Sequence, residues 1–178
     1  MRNGGTMNSE IEQPGEVARV PGDEYPNSLA LCMIDAMYVT GARHLTVENI
    51  VARYRAFRAG QGGNADRDGV PELLANIAAV GGPYQWAADI GNRRPTSTAK
   101  NAPLRAVALA EIAQQFSALG IATAADLRAV AEDDELSAEV QRVWCAIPGQ
   151  RSGFSWRYLL MLVQPPSLRV APPDAETA

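Results

Sequence analysis

The sequence predicts an all-α, multi-helix globular domain. Three observations carry that prediction. Between residues 27 and 163 apolar residues recur three and four positions apart, with no convincing alternating run of the kind a strand needs. The periodic segments are separated by short connections marked by Gly, Pro or capping residues. The chain has 178 residues, 47% of them hydrophobic, which is enough for one domain with its own core.

The chain divides into three parts. Residues 1–24 read as a disordered N-terminal arm, because Gly4, Gly5, Pro14, Gly15, Pro21 and Gly22 break any periodicity and apolar residues are sparse. Residues 25–163 form the helical domain. Residues 164–178, "QPPSLRVAPPDAETA", read as a disordered Pro-rich tail, since Pro165, Pro166, Pro172 and Pro173 forbid a helix interior.

Eight helices are expected in order. The first, about 27–40, is apolar nearly all round and so is the buried central helix. The second, about 46–59 and capped by Thr46, turns Val47, Ile50, Val51, Tyr54 and Phe57 inward; Arg53, Arg55 and Arg58 form a solvated face. The loop 60–69, "GQGGNADRDG", is mobile by composition. The third helix, about 70–80, buries Leu73, Leu74 and Ile77, and the fourth, about 83–90, starts on Pro83. A polar basic loop, 91–100, leads to the fifth, about 103–118, with Leu104, Ala108, Ile112 and Phe116 at four-residue steps. Thr123 caps the sixth, about 123–131. The acidic run Glu132–Glu135 caps the seventh, about 136–146. The eighth, about 153–163, follows the turn "IPGQRSG", with Ser152 or Ser155 as its cap. Trp144 and Trp156 are core by spacing.

Composition excludes several kinds of chemistry. Cys32 and Cys145 lack metal-ligand spacing and sit in apolar helical patterns, so they read as reduced thiols of a cytoplasmic protein. Two cysteines cannot hold a four-cysteine iron–sulfur cluster, and the single His44 rules out a multi-histidine zinc site. No metal and no cofactor is expected. No apolar run reaches transmembrane length and the N-terminus lacks a signal-peptide core, so no membrane partner is expected. The formal net charge is −4, but the arm carries −3 and the tail −1, which leaves residues 25–163 neutral. A neutral domain can still have a basic face. Arg93, Arg94 and Lys100, with Arg105 just beyond, form its densest basic stretch.

The turn between the seventh and eighth helices is the richest motif. Pro148 ends one helix, and Gly149 can take the left-handed geometry of a sharp reversal. The N-terminal N–H groups of the next helix then point out of the turn with partial positive charge, ready for an anion. Arg151 adds a mobile cation and Arg157 lies within one or two turns.

In this position "IPGQRSGFSWRYLLML" resembles the helix-hairpin-helix of the base-excision DNA glycosylase superfamily, whose hairpin reads leucine-Pro-Gly-X-Gly followed by a helix. "NSLALCMIDAMYVTGARHLTVENIVARYRAF" looks like that superfamily's early buried helix and its successor, and "PLRAVALAEIAQQFSALGIATAADL" like the later helix that packs on the hairpin. The resemblance spans residues 26–163 and implies a hairpin whose backbone holds a DNA phosphate. Ile147, Pro148 and Gly149 match, Gln150 is the variable position, and Arg151 stands where the family has its second glycine. That departure either tilts the turn or lets the guanidinium contact phosphate directly. Gly153 falls where lyase-type members keep a catalytic lysine, and the only lysine, Lys100, lies elsewhere. The family's catalytic aspartate follows the helix after the hairpin, where this chain has its Pro-rich tail and Asp174. Met37 and Tyr38 fall where the family inserts side chains into the duplex, but a core role is favoured for both.

Asp35, the one charge in the central helix, has two readings. It is either a structural partner of an arginine such as Arg43, or a buried carboxylate of raised pKa facing DNA. Asp35 and Asp174 are thus the only aspartates offered for catalysis, and neither is assigned. The expected function is non-catalytic binding of duplex DNA, damaged or intact, by Pro148, Gly149, Gln150, Arg151, Ser152, Gly153 and Arg157, with Arg93, Arg94 and Lys100. The alternatives are an active DNA glycosylase that extrudes a base, and a helical module that contacts another protein chain.

Overall fold

A computed structural model describes residues 24–165. Most of the predicted N-terminal arm and Pro-rich tail, Asp174 included, lies outside the described residues. Within them the fold is all-helical, with eight α-helices, one short 3-10 turn and no strand.

The centre is α1 (Leu29–Tyr38), all of whose residues are buried. Its apolar circumference allows this, and Ser28 starts it by accepting from Leu31 N at 3.1 Å. Helices α2 (His44–Gly60), α3 (Val70–Ala79), α5 (Arg105–Ala118) and α8 (Phe154–Val163) pack around α1. Helix α4 (Pro83–Asp89) lies on α3 and α5, and α6 (Ala124–Ala131) and α7 (Asp134–Cys145) close the bundle against α8. Met37 and Tyr38 are core residues, the role favoured for them over insertion into a duplex. Both lie in the last turn of a helix that is covered on every side. Trp144 and Trp156 are buried as expected.

Three expectations about the α2 region are corrected. Helix α2 begins at His44, and Thr46 lies inside its first turn, its N–H already donating to Arg43 O at 2.9 Å. The 60–69 loop is pinned: Ala65–Arg67 form the 3-10 turn and Asp68 is buried, accepting from Arg58 Nε at 2.5 Å and Tyr54 Oη at 2.9 Å. Arg53, Arg55 and Arg58 are therefore not an unengaged solvated face. Arg53 donates to the carbonyls of Ile90 and Gly91 at 2.7 and 3.0 Å, and Arg55 pairs with Asp66 at 2.6 Å. An arginine fork can tie down a loop carbonyl as readily as it faces water.

Local capping explains the starts of the later helices. Asp133 accepts from Leu136 N at 3.0 Å, so α7 opens two residues before its expected start. At α6, Thr123 accepts from Asp126 N while Asp126 accepts from the N–H groups of Ala122 and Thr123 at 2.9 and 3.0 Å. Those N–H bonds hold the Asp126 carboxyl below its ordinary value. A lowered pKa means that the stabilisation is complete above the unfolded carboxyl value of about 3.9 and is lost as pH falls through the folded value. Asp126→Ala is expected to cost about 1 kcal/mol at neutral pH, with the gap to wild type narrowing in strong acid. Urea unfolding at the two pH values reads this directly.

A candidate nucleic-acid interface at the α7–α8 turn

The turn follows from its residues. Helix α7 ends at Cys145, Ile147 is buried, and Gln150 N donates back to Ile147 O at 3.0 Å. Gly149 has φ +85 and Gly153 φ +75, the left-handed conformations that a double reversal needs. Gly153, rather than Ser152 or Ser155, occupies the cap position of α8. Ser152 accepts from Phe154 N at 3.3 Å, a local contact two residues along. Ser155 is buried, where it accepts from Trp144 Nε1 at 2.8 Å and donates to Gln150 Oε1. Gln150 is only 1% exposed, so its side chain locks the inside of the turn rather than its outer surface. This role is not legible in the sequence, because a glutamine in a turn carries no periodic signal.

Pro148, Arg151 and Ser152 form the outer rim and are exposed. Among the described residues no acceptor meets the main-chain N–H groups of Arg151 and Ser152. The first N–H groups of α8 also lack intrahelical partners, as at any helix start. The Arg157 guanidinium folds back over the turn: its Nη1 lies 3.2 Å from where a Cβ on Gly153 would sit. Donors and a cation thus converge on one rim.

The second basic segment reaches the same place. The 91–104 loop is closed at its base by Thr96 N to Pro103 O at 2.8 Å and Arg105 N to Arg94 O at 2.9 Å. The Arg105 side chain, 9% exposed, runs beneath it, donating to Met37 O at 2.9 Å, Thr40 O at 2.7 Å and Pro95 O at 3.2 Å. Arg105 is therefore a buried clamp and not part of a basic surface; burial pulls its pKa down. The loop it anchors lies on the turn: a Cβ on Gly149 would stand 2.1 Å from Thr96 O. Arg93, Arg94 and Lys100 are exposed on that loop. The two segments, 91–105 and 146–165, contain six cations and no Asp or Glu. With Arg105 inside, five cations face solvent within a chain of net charge −4.

Asp35 belongs to a different place. It is 1% exposed and accepts from Tyr158 Oη at 3.1 Å and from Tyr25 Oη, rather than from Arg43. It borders a cavity of about 330 Å³ with Tyr25, His44, Glu48 and Arg55, none of them in the turn or the basic loop. Among the described residues no group of His, Cys, Asp or Glu is placed to hold a metal ion, and no helix is long and apolar enough to cross a membrane. No curated protein and no solved structure matches the chain. Residues 6–174 match a family model described as a domain of unknown function, DUF8548, and the chain belongs to that family.

Proposed function

We propose that the protein binds duplex DNA through its phosphates, as a helix-hairpin-helix module of the DNA glycosylase type that does not remove bases. The observation that carries this reading is the contact of Gly149 with the Thr96 carbonyl, which joins the turn to the basic loop, two segments that contain no Asp or Glu. Arg151 and Ser152 offer main-chain donors there, and Arg93, Arg94, Lys100, Arg151 and Arg157 offer charge. Such contacts fix a protein on the backbone without reading sequence. Binding rather than catalysis is favoured because Gly153 puts no amine at the turn and Asp35 is spent on tyrosine hydroxyls in the interior.

The test is duplex affinity measured at several salt concentrations. Five exposed cations set the slope of log affinity against log salt at no steeper than about −4.5. Arg151→Glu is expected to lower affinity about tenfold and to flatten the slope by about one unit. The Arg93→Glu, Arg94→Glu double variant should do more. Both changes are at exposed positions, so the fold should persist. A parent protein without salt-dependent duplex affinity overturns the proposal and leaves protein partners as the reading. Release of uracil, alkylated or oxidised bases, lost in Asp35→Asn, overturns its non-catalytic part.

A further inference from the structure

One feature of the rim is not explained by phosphate contacts. Phe154, the first residue of α8, is 51% exposed directly beside the turn. Its ring stacks on Tyr158, one turn along, with centroids 6.1 Å apart and planes inclined by 16°. The Tyr158 hydroxyl donates to buried Asp35, so the supporting ring is anchored to the core. A single exposed apolar residue is ordinary on a protein surface. This one differs in lying nearly parallel to an anchored ring, offset along it, with exposed Arg151 and Arg157 beside it in a segment that has no acid.

A flat, supported aromatic face among cations that fit phosphates is suited to stack a nucleobase. Within a continuous duplex both faces of each base are already covered by its neighbours. A base beside a gap, or the last one at an end, has an uncovered face to offer. We infer that Phe154 is a stacking platform for an unpaired nucleobase, so that the protein favours DNA in which duplex adjoins a single-stranded stretch. The Arg-bearing turn grips the backbone and Phe154 takes the first unstacked base. This inference rests on the DNA-binding reading above and adds to it the kind of DNA preferred.

The experiment uses the full chain and two probes: a short continuous duplex, and the same duplex with a single-stranded gap carrying 2-aminopurine. The gapped probe should bind about tenfold more tightly, the gain being the stacking of one base. Protein should quench the 2-aminopurine fluorescence. Phe154→Ala should abolish both the preference and the quenching while leaving affinity for the continuous duplex unchanged. Phe154→Trp should restore both, which a merely structural role for the ring would not explain. Equal affinity for the two probes, or quenching that survives in Phe154→Ala, overturns the stacking assignment and leaves duplex binding standing. Failure to bind either probe overturns the DNA-binding reading and this inference with it.

Discussion

Arg105→Ala is expected to destabilise the protein by about 3–5 kcal/mol, the larger share coming from three carbonyls left without a donor. Met37 O and Thr40 O lie at the C-terminal end of α1, where the last carbonyls have no helical partners and carry partial negative charge. The guanidinium meets both and still reaches Pro95 O. Burial pulls its pKa down, and the three carbonyl bonds are the partners that a buried cation needs. Arg105→Lys should recover little, since an ammonium cannot span the three acceptors with the geometry of a planar fork. Arg105→Met keeps most of the volume and should remain well below wild type, which separates lost hydrogen bonds from lost packing. Urea unfolding gives the stabilities, and amide exchange across 91–104 shows whether the loop opens first. A loss below about 1 kcal/mol would mean that water replaces the clamp and that the basic loop is not held by it.

The same residue shows where sequence reasoning stops. The eight helices are legible because each buries an apolar stripe at helical spacing, and three of their starts carry a capping side chain, Ser28, Thr123 and Asp133. The start of α2 at His44, two residues before Thr46, is not legible, because its N-cap, Arg43, makes no side-chain bond that composition could advertise. The turn was legible in Pro148 and Gly149, since a reversal there demands left-handed backbone. The arginines were not. Arg53, Arg58, Arg93 and Arg105 look alike in a list of residues, yet one holds loop carbonyls, one a buried carboxylate, one faces solvent and one clamps a helix end. Which of these an arginine does depends on segments far away in sequence. Thr96 is the clearest case: nothing local marks its carbonyl as the surface on which Gly149 must lie.

That contact makes Gly149 the most sensitive position of the proposed interface, and comparison with Gly153 isolates the reason. Both glycines are left-handed, so alanine at either strains the backbone by about 1–2 kcal/mol. At Gly153 the new methyl group would meet Arg157 Nη1 at 3.2 Å, the far end of a side chain that can swing away. At Gly149 it would meet Thr96 O at 2.1 Å, a main-chain atom in a loop closed at both ends. Either the turn or the loop must move, so Gly149→Ala is expected to cost about 2–4 kcal/mol and Gly153→Ala only about 1–2 kcal/mol. Neither substitution alters charge. If the rim acts as one surface, Gly149→Ala should also lower duplex affinity under conditions where the variant is fully folded, because it separates Arg93 and Arg94 from Arg151 and Arg157. Equal costs at the two glycines, with unchanged affinity, would mean that turn and loop are independent and that the cations they carry do not act together.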